Sequence, residues 1–279
     1  MKLEYNETGI ERNRKMKIGF IGLGNMAKAM IGGMLAKGIA KPEDIVGSAR
    51  TEGTCNAVKE AYGIEVLRDN GEVASRADML ILAVKPQMFG EVIPEIRNKV
   101  KGDAIVISIA AGKTIAQIEE AFGRSLKLVR CMPNTPAMVG EGCSGVCRNE
   151  KVTDEEMERC MGLLESFGIA EEVPEKLMDA VVGVSGSSPA FVFMFLEALA
   201  DGAVKAGMPR GQAYRFAAQT VLGCAKLMQE TGKHPGELKD MVCSPAGTTI
   251  CGVQVLEDMG FRSAVMNAVD ACAEKSRNM

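Results

Sequence analysis

The spacing of apolar and polar residues changes once along this chain, near residue 174. Before it, short apolar runs at 17–22, 45–49, 64–67, 79–84, 104–109 and 127–131 alternate with longer stretches at helical spacing. Those stretches, 25–37, 53–62, 70–76, 87–100 and 114–122, predict helices between the strands. Apolar strands alternating with helices predict βαβ units and a parallel sheet covered on both faces. A shorter strand at 145–148 is expected as an edge, and 169–173 is expected to close the sheet. Between them Thr153, followed by Glu156 three residues on, predicts the capped start of a helix running to about residue 167. After residue 174 the alternation stops. Pro189 is expected to open a long helix to residue 206, apolar nearly all round. Helices follow at 210–230, 237–242, 250–259 and 261–277. A helix apolar on every side must be buried on every side, so a second subunit is expected to cover it. The expected organisation is therefore residues 1–15 as a polar extension, 16–174 as an α/β domain and 175–279 as an all-α dimerisation domain. No internal repeat or low-complexity segment interrupts it.

The first strand runs into Gly22-Leu23-Gly24-Asn25-Met26-Ala27 and then a helix. Gly22 permits a tight turn, Gly24 a close ligand approach, and Ala27 close packing of helix on strand. The helix-start amides then face an anion such as a pyrophosphate. In this strand–turn–helix context the motif predicts a Rossmann-type, doubly wound dinucleotide fold, with the ligand at the carboxyl ends of the strands. The second strand ends Gly47-Ser48-Ala49-Arg50-Thr51, with no acid before Glu52. An acid there would grip a 2′-hydroxyl and repel a 2′-phosphate, whereas Ser48 and Arg50 suit the phosphate. NADP(H) is therefore expected over NAD(H), with NAD(H) use possible. Arg50 as a plain surface residue is the alternative.

Three more stretches carry candidate chemistry. Ala83, Val84, Lys85 and Pro86 end the fourth strand beside the expected cofactor, where Lys85 is either a phosphate or ribose contact or a solvated side chain. Asn134 and Thr135 sit between Pro133 and Pro136, either bordering the nicotinamide end or forming a rigid connector. Ser244 to Thr249 leads into a helix, and Gly247, Thr248 and Thr249 offer amides, hydroxyls and a positive dipole end to a carboxylate. The alternative is a simple helix cap.

Composition narrows the partners. The net charge is −3 with 25% charged residues, which offers no basic field for nucleic acid. The longest apolar run, residues 189–196, is short for a bilayer span and ends at Glu197, so no membrane partner is expected. Residues 1–15 lack the apolar core of a signal peptide, and the nine cysteines are scattered. A reducing cytoplasm is expected, with thiols acting as small apolar fillers. With one histidine, His234, read as a turn residue, no metal site is expected. No catalytic triad order or acid/base pair stands out, so the reaction is expected to need little proton machinery.

The ordered set F-I-G-L-G-N-M-A, A-V-K-P, M-P-N-T-P, G-S-S-P-A-F, H-P-G-E-L-K-D and S-P-A-G-T-T resembles pyrroline-5-carboxylate reductase from Met16 to the C-terminus. The last three lie outside the general dinucleotide fold and carry most of the specificity. The chain departs from the family pattern at Ser188 and Ala246, where glycine is usual, and at Phe191, where tyrosine is common. The resemblance implies NAD(P)H-dependent reduction of 1-pyrroline-5-carboxylate to proline, by a homodimer or larger assembly whose helical domains interleave. It implies that Asn70 touches the adenosine ribose and that Thr248 and Thr249 hold the substrate carboxylate. A protonated imine needs only hydride and positioning, and Thr249 is expected also to bond the ring nitrogen. Two rivals stand beside this reading. One is a 3-hydroxyacid-type dehydrogenase, with Lys205 as its nearest candidate for a catalytic lysine. The other is a catalytically silent NADP(H)-binding protein.

Overall fold

Eight strands form one sheet in the order β3-β2-β1-β4-β5-β6-β7-β8. The computed structural model describes residues 16–279, so the extension expected over 1–15 lies outside the described residues. The strands are β1 (Ile18–Ile21), β2 (Ile45–Ser48), β3 (Glu65–Leu67), β4 (Met79–Leu82), β5 (Ile105–Ser108), β6 (Lys127–Met132), β7 (Gly142–Arg148) and β8 (Gly168–Glu172). The first six are parallel, β7 is antiparallel to β6, and β8 is parallel to β7. The sheet is thus Rossmann-type, with two extra strands on one side. β7 is longer than expected and is no edge: it lies between β6 and β8, and β8 is the edge.

Successive strand residues point to opposite faces, and both faces are buried. On one face Ile18, Phe20, Met79 and Ile81 meet helices α1 (Asn25–Ala36), α2 (Glu52–Tyr62) and α6 (Asp154–Leu164). On the other, Ile21, Leu80 and Leu82 meet α3 (Asn70–Arg76), α4 (Phe89–Ile96) and α5 (Ile115–Phe122). The expected helix over 87–100 is shorter: a 3-10 turn at Pro86–Met88 precedes α4. Thr153 caps α6, accepting from the Glu156 amide at 3.3 Å, while the Glu156 carboxylate accepts from the Thr153 amide at 3.1 Å.

The chain falls into two compact units. The first runs to Gly186 and includes Cys272–Met279; the second is Ser187–Ala271. The main departure from sequence expectation is local. The helical path does not begin at Pro189. Glu175–Lys205 is one continuous 31-residue helical stretch: a 3-10 turn (Glu175–Leu177), α7 (Met178–Val181), a π-helical turn (Val182–Ser187) and α8 (Ser188–Lys205). By length and composition alone it could cross a bilayer, which the short apolar run did not suggest. However, Glu197, Asp201 and Lys205 recur every four residues and put charge along one face of α8.

The π turn lies directly ahead of Pro189. Proline at 189 has no amide to donate back to the Ser185 carbonyl. The Asn134 side-chain amide donates to that carbonyl instead, at 3.0 Å. The Ser185 hydroxyl donates back to the Val181 carbonyl at 3.0 Å. The π turn thus sits immediately before the position where the helical ladder loses a donor.

The second unit is helical throughout: α8, α9 (Arg210–Thr231), α10 (Pro235–Val242), α11 (Thr248–Asp258) and most of α12 (Phe261–Arg277). α8 packs on α9, and Phe195 meets Phe261 with ring centroids 6.2 Å apart. Within Ser187–Ala271 only Ala200, Ala213 and Ala217 are buried. Phe193, Met194, Phe216, Leu222 and Met266 are all exposed.

Candidate active site

The carboxyl ends of β1 to β4 bring most of the expected cofactor residues together. Gly22 turns the chain at φ +92°, and its amide donates to the Ser48 carbonyl at 3.0 Å. A Cβ on Gly22 would stand 2.8 Å from Val84 Cγ1 and 2.9 Å from the Ala83 carbonyl oxygen. The protein itself therefore requires glycine at 22. Gly24 is different: φ is −74°, and nothing lies within 4 Å of where its Cβ would be. Glycine at 24 leaves space that no part of the protein fills. Gly24 is also the N-cap of α1, which has no side-chain cap and no acid in its first turn. The amides of the exposed Asn25 and half-buried Met26 begin this uncapped helix. An open, uncapped helix start behind a bare backbone fits the pyrophosphate of a dinucleotide.

At the end of β2 the buried Ser48 hydroxyl donates to Asn70 Oδ1 at 2.6 Å, and Asn70 Nδ2 donates to Glu95 Oε2 at 2.7 Å. Ser48 and Asn70 are thus hydrogen-bonded to each other, and the serine hydroxyl already has a protein partner. Arg50 is exposed and pairs with Glu91, Nη2 lying 2.7 and 2.9 Å from the two carboxylate oxygens. The Arg50 carbonyl accepts from Arg68 Nη2 at 3.2 Å. Sequence reasoning missed Arg68 and Glu91. Arg68 follows β3 directly, so the strand order was the signal that could have found it.

Ala83 continues β4, its amide donating to the Ile21 carbonyl at 2.9 Å. Val84 is half-buried; Lys85 is exposed, its carbonyl accepts from the Met88 amide at 2.9 Å, and its side chain makes no hydrogen bond or ion pair among the described residues. Pro86 starts the 3-10 turn. Asn134, at the end of β6, is buried with both side-chain ends engaged. Its Oδ1 accepts from the Cys143 amide at 2.8 Å, and its Nδ2 holds the Ser185 carbonyl. That geometry makes Asn134 a clamp on the π turn.

In the helical unit, Ser244 to Thr249 forms a turn into α11. The N-cap is Gly247, and no side chain caps the helix. The capping alternative would have put a hydroxyl in that role, so the α11 amides remain without a side-chain acceptor. Gly247 donates to the Ser244 carbonyl at 3.0 Å, and a Cβ there would stand 2.4 Å from Ser244 Oγ. Thr248 is exposed and Thr249 half-buried. Ala246, at φ +57°, is the only non-glycine residue with positive φ among the described residues. A bare backbone, two hydroxyls and an uncapped helix with no acid in its first turn favour a carboxylate ligand.

Other candidate chemistry is quiet. His234 caps α10 by accepting from the Gly236 amide through Nδ1 at 3.1 Å. Burial pushes the Cys131 and Cys160 thiols up to about 12 and the Cys147 thiol up to about 11, which keeps them protonated and unreactive. Among the described residues no three histidine, cysteine or acidic side chains stand together as a metal cage. Lys205, at the end of α8, is exposed.

Two family models match the chain: pyrroline-5-carboxylate reductase dimerisation over residues 175–279, and NADP oxidoreductase, coenzyme F420-dependent, over residues 17–112. The pyrroline-5-carboxylate reductase of Escherichia coli K12 is 49% identical over 263 residues, covering 94% of this chain and 98% of the relative. That of Methanosarcina acetivorans is 47% identical, covering 94% and 97%. A solved structure of the Plasmodium falciparum enzyme with NADP bound superposes with a TM-score of 0.86 at 34% identity, covering 94% of this chain and 97% of that one. The Coxiella burnetii enzyme superposes at 0.89 and 32% identity, covering 95% and 98%. With 49% and 47% identity and near-complete coverage on both sides, this chain belongs to the pyrroline-5-carboxylate reductase family.

Proposed function

We propose that this chain reduces 1-pyrroline-5-carboxylate to L-proline with NAD(P)H, NADPH being preferred, as the last step of proline biosynthesis. The observation that carries the reading is the near-full-length identity to named reductases from bacteria and archaea. Bound NADPH supplies the hydride. Gly22, Gly24, Asn25 and Met26 hold its pyrophosphate, Ser48 and Arg50 its 2′-phosphate, and Asn70 its adenosine ribose. Ala83, Val84, Lys85 and Pro86 line the site, with Asn134 fixing the loop after β6. Ser244, Gly247, Thr248 and Thr249 hold the substrate carboxylate at the α11 N-terminus. Thr249 also bonds the imine nitrogen. The substrate is electrophilic once protonated, so positioning rather than a tuned acid or base is what these residues provide.

The exposed apolar surface of α8, α9 and α12 is covered by a second copy of the chain in a homodimer. The dimerisation model over 175–279 supports this, as does the charged stripe on α8, which is unsuited to lipid on that side. A cytoplasmic setting agrees with nine unpaired cysteines. No nucleic-acid or membrane partner is needed for this chemistry.

The test is oxidation of NADPH and NADH, in parallel, with pyrroline-5-carboxylate and with 2-keto and 3-keto acids. Turnover of the imine, faster with NADPH, is expected. Turnover of a keto acid alone would establish the dehydrogenase rival, and NADPH binding without any turnover the silent one.

A further inference from the structure

We propose that Glu91 determines how strongly this site prefers a 2′-phosphorylated cofactor, by competing with the phosphate for Arg50. The proposal rests on the reading of Arg50 as the residue that takes the 2′-phosphate. Arg50 lies just beyond β2, and Glu91 lies in the first turn of α4, after β4. These two strands flank β1 in the sheet. The ion pair therefore joins the segments that follow the two strands flanking β1 and its Gly22–Gly24 turn. Both Glu91 oxygens lie on one guanidinium nitrogen, at 2.7 and 2.9 Å.

The pair is built to exchange. Its side chains are 68% and 60% exposed, and an ion pair so exposed is weak. A phosphate dianion offers Arg50 more charge and more acceptor oxygens than one carboxylate does. Arg68, bonded to the Arg50 carbonyl, adds a second cation at the same strand ends. A cofactor with a free 2′-hydroxyl brings no rival for the guanidinium, so the competition bears on one cofactor class. In effect Glu91 supplies, from the β4 side, the negative charge that an NAD-preferring site carries at the end of β2.

The experiment measures dissociation constants for adenosine 2′,5′-bisphosphate and 5′-AMP, which differ only in the 2′-phosphate. The proteins are wild type, Glu91→Gln, Arg50→Met and the double variant. Glu91→Gln is expected to raise the preference for the bisphosphate about fivefold. Arg50→Met is expected to collapse the preference, and in that background Glu91→Gln should no longer change it. An unchanged or reduced preference in Glu91→Gln overturns the proposal. So does an equal gain in the Arg50→Met background, or a wild type with no preference. Because these ligands carry no nicotinamide, the outcome is independent of imine turnover. A protein that behaves as expected here yet reduces no pyrroline-5-carboxylate would overturn the functional reading and leave this one standing.

Discussion

Gly22 and Gly24 occupy one turn but answer to different physics, and substitution separates them. A methyl group at Gly24 meets nothing in the protein, and its φ of −74° suits alanine. Gly24→Ala should therefore leave the cofactor-free protein as stable as wild type, or up to about 1 kcal/mol more stable through a stiffer unfolded chain. The same methyl at Gly22, at φ +92°, collides with Val84 and the Ala83 carbonyl and should cost about 1–3 kcal/mol. Cofactor binding should reverse the order of harm. If the methyl at residue 24 removes two charge-assisted bonds to the pyrophosphate, at about 1.5 kcal/mol each, the loss is about 3 kcal/mol, or roughly a hundredfold in Kd. Thermal unfolding with and without NADPH reads both terms. At a ligand concentration of about 100 wild-type Kd, wild type gains about 2.7 kcal/mol, while Gly24→Ala, at about its own Kd, gains about 0.4 kcal/mol. At roughly 2–4 °C per kcal/mol, a shift of about 5–10 °C should shrink to about 1 °C. A Gly24→Ala protein that keeps the full NADPH shift, or that is destabilised as Gly22→Ala is, would refute the assignment of that space to the pyrophosphate.

Thr249→Val should lower kcat/KM for the imine about tenfold or more through loss of one hydrogen bond, and an unchanged value rules the role out. Ala246→Gly relieves a left-handed alanine costing about 1–2 kcal/mol and adds back about 0.4–1 kcal/mol of unfolded-chain entropy. Its melting temperature should rise by about 1–3 °C, and a fall contradicts the strain argument. Asn134→Ala strips partners from the Cys143 amide and the Ser185 carbonyl and should cost about 2–4 kcal/mol in denaturant unfolding. Adding Pro189→Ala restores an amide for Ser185 and should recover part of that loss; a merely additive double variant denies the coupling. Burial alone would raise the Glu156 carboxyl, but the Lys127 ammonium and the Thr153 amide outweigh it and hold it below the ordinary range. A depressed folded-state pKa stabilises above the unfolded value, near about 4.3, and that contribution is lost as pH falls through the folded one. Glu156→Gln should flatten the acid limb of the stability–pH curve below about pH 4.3, and an unaltered limb excludes this pair as a contributor.

Strands β1, β2, β4 and β5 were legible because each is buried on both faces, whereas β3, with Glu65 exposed, and β6, with Lys127 and Arg130, read less cleanly. α12, from Phe261 to Arg277, was legible from its length and the glycine before it. The stretch 175–187 was not. Gly183, Ser185, Gly186 and Ser187 have turn composition and precede a proline, so local rules favour a break. A distant side chain, Asn134, bonds the Ser185 carbonyl in this stretch, a contact the sequence does not reveal. The sequence predicts only the second half of β7 because Gly142-Cys143-Ser144 has little strand character, and pairing between β6 and β8 supplies what propensity lacks. The turns at 22–26 and 244–249 could be read from glycine and hydroxyl spacing. The Arg50–Glu91 and Ser48–Asn70–Glu95 contacts could not, since they join residues brought together only by strand order.

The three buried alanines of Ser187–Ala271 have a thermodynamic consequence. So little enclosed surface cannot offset the ordering of a segment of this size. In the homodimer proposed above, its folding and its association with the second copy are one reaction, governed by mass action. The melting temperature should climb with total chain concentration, and dilution should act as a denaturant. A variant weakened anywhere on α8 or α9 would lose stability most where the protein is scarce.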